Sequence, residues 1–215
     1  MNSKATRLTK KIIISLIGNF FMGLGVYAFF TSTMGSDPIS VFYDGIHVFF
    51  DISYGEAANY VNIVGLLLAI TFARKYFYIG TLINALTIGQ FINLAERIYG
   101  SLITVEPAFP MKLILVLLGV LLLGFGIALT ISVNLGPSFA DCLVLRTQEI
   151  TKKDYGIIRM LFDGVYVAIG FLLGGVIHLG TVVAVVLLGP VIQKLTEMVK
   201  KSILEPLKID YNIKG

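Results

Sequence analysis

Charge is scarce in this sequence. Charged residues are 14% of its 215 positions, 17 Lys and Arg with 13 Asp and Glu, where a soluble domain carries about 25%. So few charges cannot cover a water-facing surface, and a soluble enzyme or a disordered tail is excluded. Cysteine is scarcer still. Cys142 stands alone, so no internal disulfide can form and a secreted disulfide scaffold is excluded. Two histidines leave no cluster with zinc-ligand spacing, and no metal or cofactor is expected. The formal charge of +4 would suit nucleic acid only if the basic residues formed a patch. They sit instead at the ends of apolar runs, as in membrane proteins. What the chain has in quantity is apolar: 56% hydrophobic residues and a mean hydropathy of +0.87. Its place is a bilayer.

About 20 apolar residues span the hydrocarbon core as a helix. Six stretches come near that length: 11–33, 58–73, 77–99, 112–133, 156–177 and 179–199. The shortest, 58–73, borrows residues 54–57 as its first turn. Two further apolar segments, 38–50 and 137–145, are too short to cross, since thirteen residues rise only about 20 Å. The second is interrupted by Arg146, Gln148 and Glu149. Both read as half-helices or re-entrant segments. The first run has a basic flank like that of a signal peptide, but it is too long, lacks a clear small-x-small site, and has a relative mid-chain. It reads as a membrane helix.

That relative is part of a repeat. A shift of 101 pairs Lys11 with Lys112, Gly18 with Gly119, Gly23 with Gly124, Gly25 with Gly126 and Gly35 with Gly136. A shift of 100 pairs Gly80-Thr81 with Gly180-Thr181 and Gly89 with Gly189. The expectation is an all-α polytopic membrane protein, one membrane domain over 1–215. It has two tandem repeats, about 11–99 and 112–199, and a cytoplasmic tail at 200–215. Each half holds three spans and one short segment, so the second is inverted relative to the first. With six spans and cytoplasmic termini in the plasma (bacterial inner) membrane, only Arg97 and Lys112 of the 17 Lys and Arg lie outside. Eight spans would give the same split, so charge alone leaves the count open and length favours six.

Two signatures resemble the YczE/YyaS/YitT family of small bacterial integral membrane proteins. One is the glycine-rich end of the first helix of each half with its turn, Met34-Gly-Ser-Asp-Pro-Ile-Ser-Val41 and Leu135-Gly-Pro-Ser-Phe-Ala-Asp-Cys142. The other is Gly80-Thr-Leu-Ile-Asn-Ala-Leu-Thr-Ile-Gly89, echoed from Gly180 to Gly189. The resemblance runs from about Lys11 to Val199 and implies an integral membrane fold. In that family an aspartate often follows the turn; Asp141 matches it, and Ser40 stands at the equivalent place in the first half. Placement of family members beside pyridoxal-phosphate-dependent regulators implies vitamin or amine solutes.

Polar residues within a bilayer are costly and mark function or structure. Asp37 is a good N-cap with Pro38 at the first helical position, and Ser138 is a cap for the second short segment. A half-helix starting inside the membrane aims unpaired N–H groups at a cavity; the alternative is an ordinary interfacial turn. Asp44 and His47 share one face of the first short segment, and Asp141 opens the second. Arg159 and Asp163, four apart, make either a structural pair or a solute or proton contact. The amides Asn59, Asn62, Asn84, Gln90 and Asn93 suit interhelical hydrogen bonds, with Asn84 and Gln90 also placed to line a cavity. The expected substrate-binding set is therefore Asp37, Ser40, Asp44, Asn84, Gln90, Ser138, Asp141, Arg159 and Asp163. The matched glycines suit close helix packing.

No Ser/His/Asp order, metal cluster or phosphate loop is present in the sequence, so no enzyme is expected. The function expected is transport of a small polar solute through a central site between the repeats. The alternatives are a substrate-binding subunit of an energy-coupling vitamin uptake system, or a non-transporting assembly or regulatory protein. The first alternative often carries an Ala-x-x-x-Ala pattern on its first helix, which is lacking here; the second implies no ligand-sized cavity. The expected partners are the solute and the lipid bilayer, with a homo-oligomer or energising subunits also compatible, and no nucleic acid.

Overall fold

The computed structural model describes residues 3–52, 54–102, 107–207 and 209. Eight α-helices follow one another: α1 Ser3–Ser32, α2 Pro38–Phe50, α3 Tyr54–Phe72, α4 Ile79–Leu102, α5 Phe109–Ser132, α6 Phe139–Thr151, α7 Tyr155–Leu172 and α8 Leu179–Val199. No strand occurs among the described residues. Among the described residues, four helical stretches are long and apolar enough to cross a membrane: Thr6–Ser32, Phe109–Ser132, Tyr155–Leu172 and Leu179–Leu204. The apolar part of α3, Glu56–Phe72, is shorter. Helix α4 has the length, but Asn84, Gln90, Asn93, Glu96 and Arg97 make it more polar.

The second short segment differs from its expected extent. It does not stop at 145; α6 continues through Arg146, Gln148 and Glu149 to Thr151 and matches α2 at 13 residues. Charge does not break a helix when its carriers are good helix formers and can reach partners at the helix end. Helix α7, in turn, ends at Leu172 rather than 177, because Gly174 takes φ +102°. Past α8 the chain makes a π turn, Lys200–Leu204, and Leu204 and Ile209 are buried beside Ile14, Val133 and Leu135. Part of the expected tail is thus packed on the bundle; Lys208, Lys214 and Glu106 lie outside the described residues.

Backbone conformation repeats at the spacing that the glycines mark. Thr33 (φ +54°) corresponds to Asn134 (+51°), Gly35 (+110°) to Gly136 (+97°), and Asp51 (+50°) to Lys152 (+58°), each 101 residues apart. The two breaks after α1 and α5 are bound reciprocally. Gly80 N–H, at the start of α4, donates to Leu135 O, and Gly180 N–H, at the start of α8, donates to Met34 O, both at 2.7 Å. Each Gly-Thr pair therefore seats on the other half's break. A Cβ on Gly35 would strike the Thr181 hydroxyl and one on Gly136 the Thr81 hydroxyl. Thr81 reaches Cys142 Sγ at 3.7 Å. The Thr181 hydroxyl, whose counterpart neighbour is Val41, has no hydrogen-bond partner.

Helix directions follow from the close contacts. A Cβ on Gly18 of α1 would strike Gly126 O of α5, and one on Gly126 would strike Gly18 O. Further along, Gly25 lies on Leu123 and Gly119 on Phe29. Numbers rise on α1 as they fall on α5, so these repeat-equivalent helices pack antiparallel. By the same reading α1 and α4 are parallel: Asn19 Nδ2 donates to Thr87 Oγ1 (2.7 Å), Asn84 Nδ2 to Asn19 Oδ1 (2.8 Å), and Gly23 rests on Phe91. Helices α5 and α8 match them, with Val116 on Gly180 and Gly124 on Val191. Around this four-helix layer lie the other four. Each short helix runs in the same direction as a long helix of the opposite half. Along α2 and α7 the contacts are Phe42 with Tyr166 (ring centroids 5.8 Å apart), Gly45 with Gly170 and Val48 with Gly174. Helix α6 follows α3 from Phe139 on Gly65 to Glu149 on Lys75.

Candidate functional site

The starts of the two short helices carry the same chemistry in opposite order. Pro38 opens α2 behind Asp37, and Ser40 Oγ donates to Asp37 Oδ1 at 2.6 Å. In the second half Ser138 caps α6 by accepting from Asp141 N–H (3.2 Å), and its Oγ donates to Asp141 Oδ2 at 2.6 Å. Positions 37 and 138 correspond, as do 40 and 141. A carboxylate and a hydroxyl therefore pair in each half with their places exchanged.

Helix α7 supplies the rest from one face. Tyr155, Arg159 and Asp163 are spaced by four residues and so point the same way. Arg159 Nη1 donates to Asp141 Oδ1 at 2.5 Å, and its Nε donates to both Asp163 oxygens at 2.9 and 3.1 Å. Tyr155 Oη donates to Asp141 Oδ1 at 3.0 Å. Asp37, from the other half, lies within electrostatic reach of Arg159 and Asp163. All four charged groups are buried: Asp141 and Asp163 at 0% exposure, Asp37 at 4% and Arg159 at 6%. Three carboxylates face one guanidinium, an excess of two negative charges if all are ionised. Removing an ion from water costs several kcal/mol even after relaxation. The arrangement thus has room, in charge terms, for a cation or protons.

Beside this cluster is a hollow of about 640 Å³ between the halves, and its walls are apolar. Phe42, Phe139 and Tyr166 form its inner wall, and Tyr60 and Val64 of α3 with Val165 and Ile169 of α7 stand at its exposed rim. The expected central substrate site included Asp37, Asp44, Asp141 and Asp163, none of which lines this hollow. Here Asp37, Asp141 and Asp163 are sealed behind the aromatic wall, since burial with their own partners satisfies them better than an open surface among apolar helices. At the far end of α6, Glu149 binds Lys75 (2.7 Å) and Arg146 (2.9 Å) and accepts from Tyr76 Oη (3.3 Å). These hydrogen bonds, Lys75's first, lower the Glu149 carboxyl to about 2.

Of the nine residues singled out from sequence, six come together: Asp37, Ser40, Ser138, Asp141, Arg159 and Asp163. Asp44 is elsewhere, two turns along α2, accepting from Val176 N–H at 3.1 Å. Asn84 is buried against Asn19 and Met22 of α1, and Gln90 is exposed on α4. His47 Nδ1 is hydrogen-bonded to the Ile52 carbonyl. Tyr155 and Tyr166 escaped the sequence reading. The four-residue spacing of Tyr155 from Arg159 was the available signal for the first.

The signature of a family of unknown function, DUF6198, matches residues 9–197. An uncharacterized protein of Haemophilus influenzae is 28% identical over 184 residues, covering 86% of this chain and 82% of the relative. The uncharacterized membrane protein YczE of Bacillus subtilis is 27% identical over 183 residues, covering 81% and 82%. No solved structure matches.

Proposed function

The chain belongs to the DUF6198 family of unknown function and is a YczE-type, multi-pass membrane protein, and from that footing we propose that it transports a small amine-bearing solute. The observation that carries the reading is the buried cluster at the meeting of the two helix breaks, three carboxylates against one guanidinium. A cationic group is the natural complement of that excess. The solute's positive charge would join the Asp37 and Asp163 carboxylates directly, carrying net charge with it.

Architecture supports the same reading. Antiparallel packing of α1 on α5 is what inverted repeats require, and inverted halves can exchange conformations to open a central site to either side. It also favours six spans over eight, because eight would run α1 and α5 in the same direction. The Lys75–Glu149 pair adds to this, since eight spans would place those two residues on opposite sides of the bilayer. In the six-span arrangement both termini are cytoplasmic. A non-transporting assembly protein needs no ligand-sized hollow, so the one beside the cluster favours transport over that alternative.

Uptake of a panel of labelled amines by proteoliposomes tests the proposal. Asp141→Asn and Asp163→Asn are expected to cut uptake tenfold or more, with the protein still monodisperse on size exclusion. Wild-type uptake in both variants would remove the carboxylates from the mechanism, and uptake of no amine by the wild type would overturn the proposal.

A further inference from the structure

The hollow and the cluster are neighbours, and their chemistries are complementary in a way that narrows the ligand. Asp163 and Tyr166 are three residues apart on one face of α7, and Tyr166, part of the hollow's inner wall, is within electrostatic reach of Arg159, Asp163 and Asp141. Phe139 precedes Asp141 by two residues at the start of α6, and Phe42 follows Asp37 by little more than a turn of α2. Three aromatic side chains thus stand between the apolar space and the negative charge. At about 640 Å³ the hollow falls within the ~300–1,000 Å³ range of small-molecule sites. Its rim residues Tyr60 (57% exposed), Val64 (54%) and Val165 (54%) face outward along the helices, so its mouth is on the side that meets lipid.

A small hydrophilic amine would gain nothing from such walls, and a neutral hydrocarbon would gain nothing from the charge behind them. We infer that the hollow is the binding site of an amphipathic organic cation. Its apolar body lies between α3 and α7, its positive centre lies against Tyr166 facing the Asp37–Asp141–Asp163 carboxylates, and it enters sideways from the bilayer. This deepens the transport proposal and rests on it for the role of the cluster. Aromatic faces suit such an ion, since a cation over a tyrosine or phenylalanine ring is attracted by the ring quadrupole.

The test is equilibrium binding to the purified full chain in nonionic detergent with three probes: tetraphenylphosphonium, tetramethylammonium, and neutral triphenylphosphine oxide. Tetraphenylphosphonium is expected to bind at least tenfold more tightly than either of the others. Val165→Trp, which fills the hollow from its exposed rim, should weaken it tenfold or more; Val64→Trp on the opposite rim is the duplicate should the first misfold. Asp37→Asn should weaken the phosphonium and leave the neutral oxide unchanged. If the oxide binds as well as the phosphonium, the hollow is a groove for lipid chains and the inference is wrong. If tetramethylammonium binds and tetraphenylphosphonium does not, the inference fails while amine transport stands. If neither cation binds, both fail.

Discussion

Glu149 sits at the end of α6 and takes its charge partners from two directions, Lys75 from beyond α3 and Arg146 from its own helix. Its carboxyl is held at about 2, below the ordinary 4.5, so the folded state holds its proton less tightly than the unfolded chain. Stability from this group is therefore present above about pH 4.5 and lost as pH falls toward about 2. Thermal melts of wild type and Glu149→Gln should differ near neutral pH and converge over that window; a gap that persists at acid pH would show the pair contributes by packing instead. Single residues were legible in the sequence where cost marked them. Asp141, Arg159 and Asp163 stood out because charge within an apolar run demands a partner. The exchange of Asp and Ser between positions 37, 40, 138 and 141 was not legible as a pairing, because either residue can accept from a backbone N–H at a helix start and only geometry shows which ones meet.

Helices α2 and α7 meet through glycine. A Cβ on Gly45 would strike Gly170 O, and one on Gly170 would strike Val41 O, so the two backbones touch where any side chain would part them. Gly170→Ala should cost about 1–3 kcal/mol, as overpacking does in a close-packed interior. The measurement is the melting temperature in detergent, where Gly164→Ala, which meets open space, should leave it within a degree or two of wild type. Equal loss in both would mean that the contact at Gly170 is not what is being read, since Ala by itself favours a helix over Gly. Both breaks were foreseeable as elements, since the matched Gly35 and Gly136, each with a proline close behind, end helices. The reach of α6 to Thr151 was not, because Arg146 and Glu149 read as a break from apolar character when they are a helix end finding its charges. The docking of each Gly-Thr on the opposite break was also beyond the sequence, since a repeat reveals which residues correspond and not which of them touch.

At the scale of the molecule, two corresponding halves pack with their first helices antiparallel, and the charged cluster lies where the two breaks meet. The matched spacing was legible from sequence alone, and segment length favoured an inverted second half where positive charge, dividing equally well under six spans and eight, did not decide. Cysteines placed at Lys75 and Glu106 in a Cys142→Ser background should label from opposite faces, Lys75 from the cytoplasm. Labelling of Lys75 from outside would contradict the odd number of crossings in each half and favour eight spans. Transport of a cation by the cluster makes the most direct demand. Wild-type proteoliposomes adsorbed on a solid-supported membrane, given a concentration jump of an amine that they take up, should show a transient current of inward positive charge, absent from folded Asp163→Asn. An undiminished current in that variant, or no current from any amine, would contradict the account.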